Sequence, residues 1–261
     1  MKRPPTILLL FLFGGCFSSS PFQYPSEIHQ PDPASHAVLV LYKFDPWNMV
    51  IGSDAPQFAV YSDKTVIWRR KNAKSDPIYL TSILSDREYL EMTTQLPLDT
   101  VAAFDSVYVT SQCTDQPSYS LMFNIGDLSK RVSIYGPLPG ASKCYHGGLP
   151  PSLRQALLEI VEFDDSWSTP WLPDQIEVMI WPFDHSIEKP LPWPTAWPTL
   201  NDPSTVVRGD DLYILHLPSQ QLAALRQFMK SLGQKTAVLL DGRKWTIAYR
   251  FPFPGEATWH Q

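Results

Sequence analysis

The sequence predicts an α+β fold that is mostly antiparallel sheet with about three helices. Short runs rich in β-branched and aromatic residues recur along the chain and are separated by Gly, Pro, Asp and Ser. Residues 119–125 also alternate between large apolar and smaller or polar side chains, as in a strand with one drier face. Three longer segments carry helix signals instead. Strands that follow one another directly favour antiparallel pairing over a parallel, helix-connected sheet.

The predicted strands are short and spread over the chain. The first, residues 37–44, has the apolar and β-branched composition of a buried strand. The segments with strand composition are residues 37–44, 58–61, 65–69, 78–83, 107–110, 119–125, 131–135, 177–181, 212–217, 236–240 and 244–251.

The three predicted helices are residues 86–95, 152–163 and 219–232. Ser85 and Glu88 have the spacing of a capping box at the start of the first helix, and Pro97 lies just beyond its end. The second helix gathers its large apolar residues on one side, and Gly233 closes the third.

The chain is expected to fold as one domain or as two closely packed halves, residues 37–166 and 167–261. Tyr79 precedes the helix-starting Ser85 by the same distance as Tyr213 precedes Ser219. Two similar β-α-β halves would explain this spacing, and so would chance combined with common capping chemistry.

The first residues have the layout of a secretory signal. Lys2 and Arg3 form a basic start, and residues 7–13 are apolar before Gly14 and Gly15. The apolar run is much shorter than the roughly 20 residues needed to span a bilayer, so it predicts a removable signal peptide, residues 1–15. Residues 16–36, rich in Ser and Pro, are then expected to be a flexible tether.

Residues 13–16, Phe-Gly-Gly-Cys, resemble the lipobox of bacterial lipoproteins. The resemblance implies that Cys16 becomes the first residue of the mature chain and is acylated, anchoring the protein in a lipid bilayer. Phe17, rather than Asp, after the cysteine would then favour the outer membrane. The family usually has Leu where this chain has Phe13, and the alternative is an ordinary secretory signal that is cut later and discards Cys16.

Two cysteines besides Cys16 are left for pairing. Export exposes Cys113 and Cys144 to an oxidising compartment, which favours a disulfide between them. The loop of about 30 residues that it would close predicts a stabilisation of roughly 3 to 4 kcal/mol in the chain-entropy model. Two unrelated thiols are the alternative.

The charge and the motifs narrow the class of function. The net charge is -5, and removal of Lys2 and Arg3 makes the mature chain more acidic still, which argues against a nucleic-acid partner. No sequence motif for a nucleotide, a metal or a serine nucleophile is present, so no cofactor is expected. Residues 58–67 and 239–246 are similar to hairpins of secreted bacterial proteins, a resemblance that covers little of the chain and implies no activity.

The segment around residues 167–198 is unusually rich in Trp and Pro. Trp181, Trp193 and Trp197 on a proline-stiffened backbone are candidates for a stacking surface that binds a carbohydrate or a peptide. The alternative is a long crossover pinned to the core by its own indoles. The sequence therefore favours a lipid-anchored envelope protein that binds or scaffolds, with an envelope protein or a glycan as partner, over a Trp-based binding module and over a secreted hydrolase.

Overall fold

The computed structural model describes residues 24–48, 50, 52–70, 78–233 and 235–259. Within these ranges the chain forms two mostly antiparallel sheets and four α-helices, which confirms the predicted α+β class. No helix of the described ranges is long and apolar enough to cross a bilayer. The predicted signal peptide and Cys16 lie outside the described residues.

The first sheet has eight strands, and only the pair β5 and β7 is parallel. In spatial order the strands run β5, β7, β6, β1, β2, β3, β4 and β8. Their bounds are β1 (Ala37–Phe44), β2 (Pro56–Tyr61), β3 (Thr65–Arg69), β4 (Tyr79–Ile83), β5 (Val107–Val109), β6 (Ser118–Ile125), β7 (Leu128–Tyr135) and β8 (Thr169–Trp171).

Three helices cover one face of the first sheet. They are α1 (Asp86–Thr94), α2 (Leu98–Ala102) and α3 (Pro151–Glu162). The capping box predicted at the start of α1 is present, because the Ser85 and Glu88 side chains each accept the other residue's backbone N–H. Leu153 and Leu157 of α3 are fully buried in the apolar cluster between the helices and the sheet.

The second sheet has six strands, and only β10 and β13 are parallel. In spatial order they run β10, β13, β14, β9, β12 and β11. Their bounds are β9 (Gln175–Pro182), β10 (Leu191–Pro192), β11 (Val206–Val207), β12 (Tyr213–Pro218), β13 (Val238–Leu240) and β14 (Arg243–Arg250).

The two sheets share one apolar core. Val178 and Ile180 of β9 point into it from the second sheet, and α4 (Leu222–Ser231) contributes Leu225. Aromatic rings beyond β14 complete it, since Phe253 packs at 5.1 Å from Trp171 of the first sheet. The chain passes between the sheets just after Trp171, a few residues beyond the predicted division at residue 167.

The tyrosines with matched spacing occupy matched places. Tyr79 begins β4 and Tyr213 begins β12, each strand lies second from the edge of its sheet, and a helix follows each. Duplication of the two halves stays a prediction.

Residues 24–36, assigned to the tether by composition, lie on the folded body. Gln30 donates to the Leu172 carbonyl at 2.8 Å and accepts the Trp171 indole N–H at 2.9 Å, while Tyr24 and Ile28 pack against the shared core. Burial of these few apolar groups and the paired amide offsets the low apolar content of the stretch. A flexible tether would have to lie ahead of Tyr24, outside the described residues.

We predict that Trp171→Ala lowers the free energy of unfolding by about 3–5 kcal/mol, because it empties a fully buried indole site and removes the partner of Gln30. Trp167→Ala is the matched control, since that side chain is 87% exposed and its loss should change stability by less than about 0.5 kcal/mol. Chemical denaturation measures both. Equal losses in the two variants would contradict this description of the core.

Candidate functional site

The outer face of the second sheet carries the candidate site. Neighbouring residues on β12, β9 and β14 form rows across this face, one of which is Ile214, Met179 and Ala248. Val50, from the loop after β1, packs on Ile214 and Met179 and covers part of the face. Beside Val50 this apolar floor lines a groove, although Ile214 and Met179 are themselves only 3% and 4% exposed.

The next row across the same three strands is polar. His216, Glu177 and Arg250 are direct cross-strand neighbours. Arg250 Nε donates to Glu177 Oε2 at 2.7 Å, and His216 Nε2 lies 4.0 Å from the other oxygen of Glu177. Opposite charges on adjacent strands stabilise their pairing.

Arg250 also reaches the first sheet and the C-terminal segment. Its Nη1 donates to Glu256 Oε1 and to the Asp54 carbonyl at 3.1 Å, and it lies 3.3 Å from the Tyr42 hydroxyl. The Tyr42 hydroxyl donates to the same Glu256 oxygen. The planar guanidinium has enough N–H donors in fixed directions to bind these acceptors at once.

Glu256 is the buried carboxyl of this network, with 7% of the residue exposed. Its second oxygen, Oε2, accepts the backbone N–H of Phe253 at 2.9 Å. Burial raises the pKa of Glu256 to about 7, and the Phe253 N–H opposes that rise. The carboxyl thus holds residues 253–256 in place as one wall of the groove.

The groove has a volume of about 870 Å³, within the range of small-molecule sites. Its floor is the outer face of the second sheet, and its walls are the end of β1, the loop at residues 52–54 and the C-terminal segment. The described residues that line it are Tyr42, Phe44, Gly52, Asp54, Glu177, Met179, Arg208, Leu212, Ile214, Arg250, Pro252, Phe253, Gly255, Glu256 and Ala257.

Most charges in the groove are paired. Glu177 and Glu256 both bind Arg250. The Asp54 carboxylate accepts the Asp45 N–H at 2.9 Å and the Asn48 amide at 2.7 Å, and burial raises its pKa above the ordinary value. Arg208 is exposed, and within the described part of the chain no carboxylate forms an ion pair with it.

Two of the three tryptophans proposed for ligand stacking lie in the core. Trp193 and Trp197 are 6% and 7% exposed, and their rings pack edge to face on each other and on Phe228 of α4. Trp193 Nε1 donates to the Pro198 carbonyl at 2.8 Å. Trp181 lies on the outer face of the second sheet, half-buried beside Met179. The structure therefore does not bring the three indoles together as an open surface, because two of them fill the space under α4.

Cys113 and Cys144 are free thiols in the structure. The two side chains lie within hydrogen-bonding range, and this contact lowers the pKa of Cys113 and raises that of Cys144. Both residues are half-exposed in loops next to β5 and β7, and Tyr135 of β7 donates to the Cys113 carbonyl at 3.0 Å. The disulfide stays a prediction.

Among the described residues no group of three His, Cys, Asp or Glu side chains is arranged to hold a metal ion. No protein-family model matches the chain, and neither curated proteins nor solved structures give a significant match. The groove is therefore interpreted from its own geometry.

Glu256 predicts a pH dependence of stability. A carboxyl whose pKa is raised on folding favours the protonated native state, so its contribution is fully present below about pH 4.5 and is lost as the pH rises through about 7. We expect this group to lower the free energy of unfolding by up to about 3 kcal/mol over that interval.

Unfolding measured from pH 4.5 to pH 8 tests this expectation in Glu256→Gln, which should remove the decline. Glu27→Gln, at an exposed position, is the matched control and should keep it. An unchanged decline in Glu256→Gln would show that the titrating group lies elsewhere.

Proposed function

We propose that the protein is an exported, lipid-anchored envelope protein that acts by binding a ligand in the groove on its second sheet. The observation that carries the binding role is a preformed, largely apolar groove whose wall is fixed by buried charge-assisted hydrogen bonds. A wall held in this way needs little ordering when a ligand enters, which reduces the entropic cost of binding.

The chemistry of the groove supports binding rather than catalysis. Both carboxylate oxygens of Glu256 accept hydrogen bonds from within the protein, from Tyr42, Arg250 and Phe253. No serine, threonine, cysteine or lysine is among the described residues that line the groove. The lining thus offers no alcohol side chain of serine or threonine, no thiol and no amine as an activated nucleophile, and its two glutamates are bound to Arg250.

The anchor is proposed from the lipobox-like residues 13–16 and would keep the groove near a membrane. Only residues 17–23 separate Cys16 from Tyr24, where the described fold begins. Fully extended, such a stretch spans on the order of 25 Å. Acylation by more than one chain would make this attachment stable.

The intact mass of the full chain, expressed in a bacterium and purified from the membrane fraction, tests the anchor. We expect a mature chain that begins at Cys16 with added acyl mass, and we expect Cys16→Ser to leave the membrane fraction. The non-reduced mass should also be two hydrogens below the reduced mass, a difference that Cys113→Ser removes. An unmodified N-terminus beyond Cys16 would rule out lipid anchoring.

The groove is tested by native mass spectrometry of the same preparation. We expect a co-purifying ligand that is lost in Ala257→Trp, because this exposed residue lines the groove and the indole would occupy it. Ala103→Trp, exposed at the end of α2, is the matched control and should retain the ligand. A ligand retained equally by both variants would place the binding site elsewhere.

A further inference from the structure

We infer that the groove binds an amphiphile with an apolar chain and an anionic head, such as a fatty acid or an alkyl phosphate. This inference rests on the proposed binding function and specifies the ligand class. The distribution of apolar and charged groups along the groove supports this ligand class.

Part of the apolar lining of the groove is open to solvent. The Phe44 ring stacks on Tyr42 with centroids 5.3 Å apart, yet Phe44 is 38% exposed at the end of β1. Leu212, Pro252 and Ala257, which are half-buried or exposed, continue this open apolar lining. An exposed aromatic ring that borders a concave apolar surface favours a ligand with an apolar body, because burial removes that area from water.

Arg208 is a cation of the groove lining that forms no ion pair with a carboxylate in the described part of the chain. Arg208 precedes a tight turn in which its backbone N–H donates to the Leu212 carbonyl at 2.8 Å, with Gly209 at a φ of +115°. The nearby Asp211 carboxylate pairs with Arg243 at 2.6 Å, and Asp210 is not part of the groove lining. The guanidinium of Arg208 is thus available to a carboxylate or a phosphate, which it binds well in a two-pronged geometry.

The carboxylates that line the groove are less exposed than the Arg208 guanidinium. Glu177 and Glu256 both bind Arg250, and Asp54 is half-buried, with one of its oxygens accepting hydrogen bonds from Asp45 and Asn48. An anionic head would therefore reach the exposed guanidinium of Arg208, whereas a cationic head would be repelled by it and would find carboxylates that are buried or half-buried among the described lining residues. A glycan would find mainly apolar side chains where it needs donors and acceptors.

Calorimetric titration of the full chain with probes of equal chain length tests the inference. The probes are dodecanoate, dodecyl phosphate, dodecanol and dodecyltrimethylammonium, each below its micelle concentration. We expect one or both anions to bind more tightly than the alcohol and the cation to bind most weakly; the tighter anion tells a carboxylate from a phosphate head. Arg208→Gln should weaken the anions about five- to tenfold and leave dodecanol unchanged, as expected for a partly solvated charge-assisted contact.

Arg154→Gln is the matched control and should change none of the affinities, because Arg154 is exposed on α3 and does not line the groove. Ala257→Trp should block all four probes. Anions that bind no better than dodecanol, or anion binding that is indifferent to Arg208→Gln, would overturn the inferred ligand class. The proposed binding function would survive that result if native mass spectrometry still found a ligand sensitive to Ala257→Trp, and would fall with it if no ligand were found.

Discussion

The guanidinium of Arg250 lies where three parts of the chain meet. It binds Glu177 within the second sheet, Glu256 on the C-terminal segment and the Asp54 carbonyl on the loop after β1. A charge removed from water is tolerated only when such partners replace its hydration. Because Tyr42 of the first sheet also donates to Glu256, this polar cluster links the two sheets and the groove wall, in addition to the apolar core that the sheets share.

The groove exists because the two sheets are covered unequally. The first sheet has helices on one face and the shared core on the other, so both of its faces are dry. The second sheet has the shared core on one face, while its outer face is covered only in part by Val50. Met179 and Ile214 lie on that outer face beneath Val50, and the Arg250 cluster holds the C-terminal segment beside them as a wall of the groove.

Signals confined to a few neighbouring residues were readable from the sequence. The Ser85–Glu88 capping box predicts the start of α1. Strand composition predicts β1 and β3 with the same bounds as in the structure. The sequence does not reveal helix α2, because Pro97 is typical of a residue just beyond the end of a helix, whereas in the structure it also immediately precedes the next helix. The edge strands β8, β10 and β11 are too short to show any periodicity. Contacts between residues far apart in the sequence cannot be predicted in this way. Tyr42 donates a hydrogen bond to Glu256 although 214 positions separate them. Trp193 and Trp197, which the sequence marks as candidates for ligand binding, are core residues.

A double-mutant cycle with Tyr42→Phe and Glu256→Gln measures whether the Arg250 cluster couples the first sheet to the groove wall. Both changes keep side-chain shape and remove the hydrogen bond between the two groups or weaken it. We expect a coupling free energy of about 1–2 kcal/mol in the unfolding of the full chain. Losses that add to within about 0.3 kcal/mol would contradict it, because the two residues would then stabilise the fold independently.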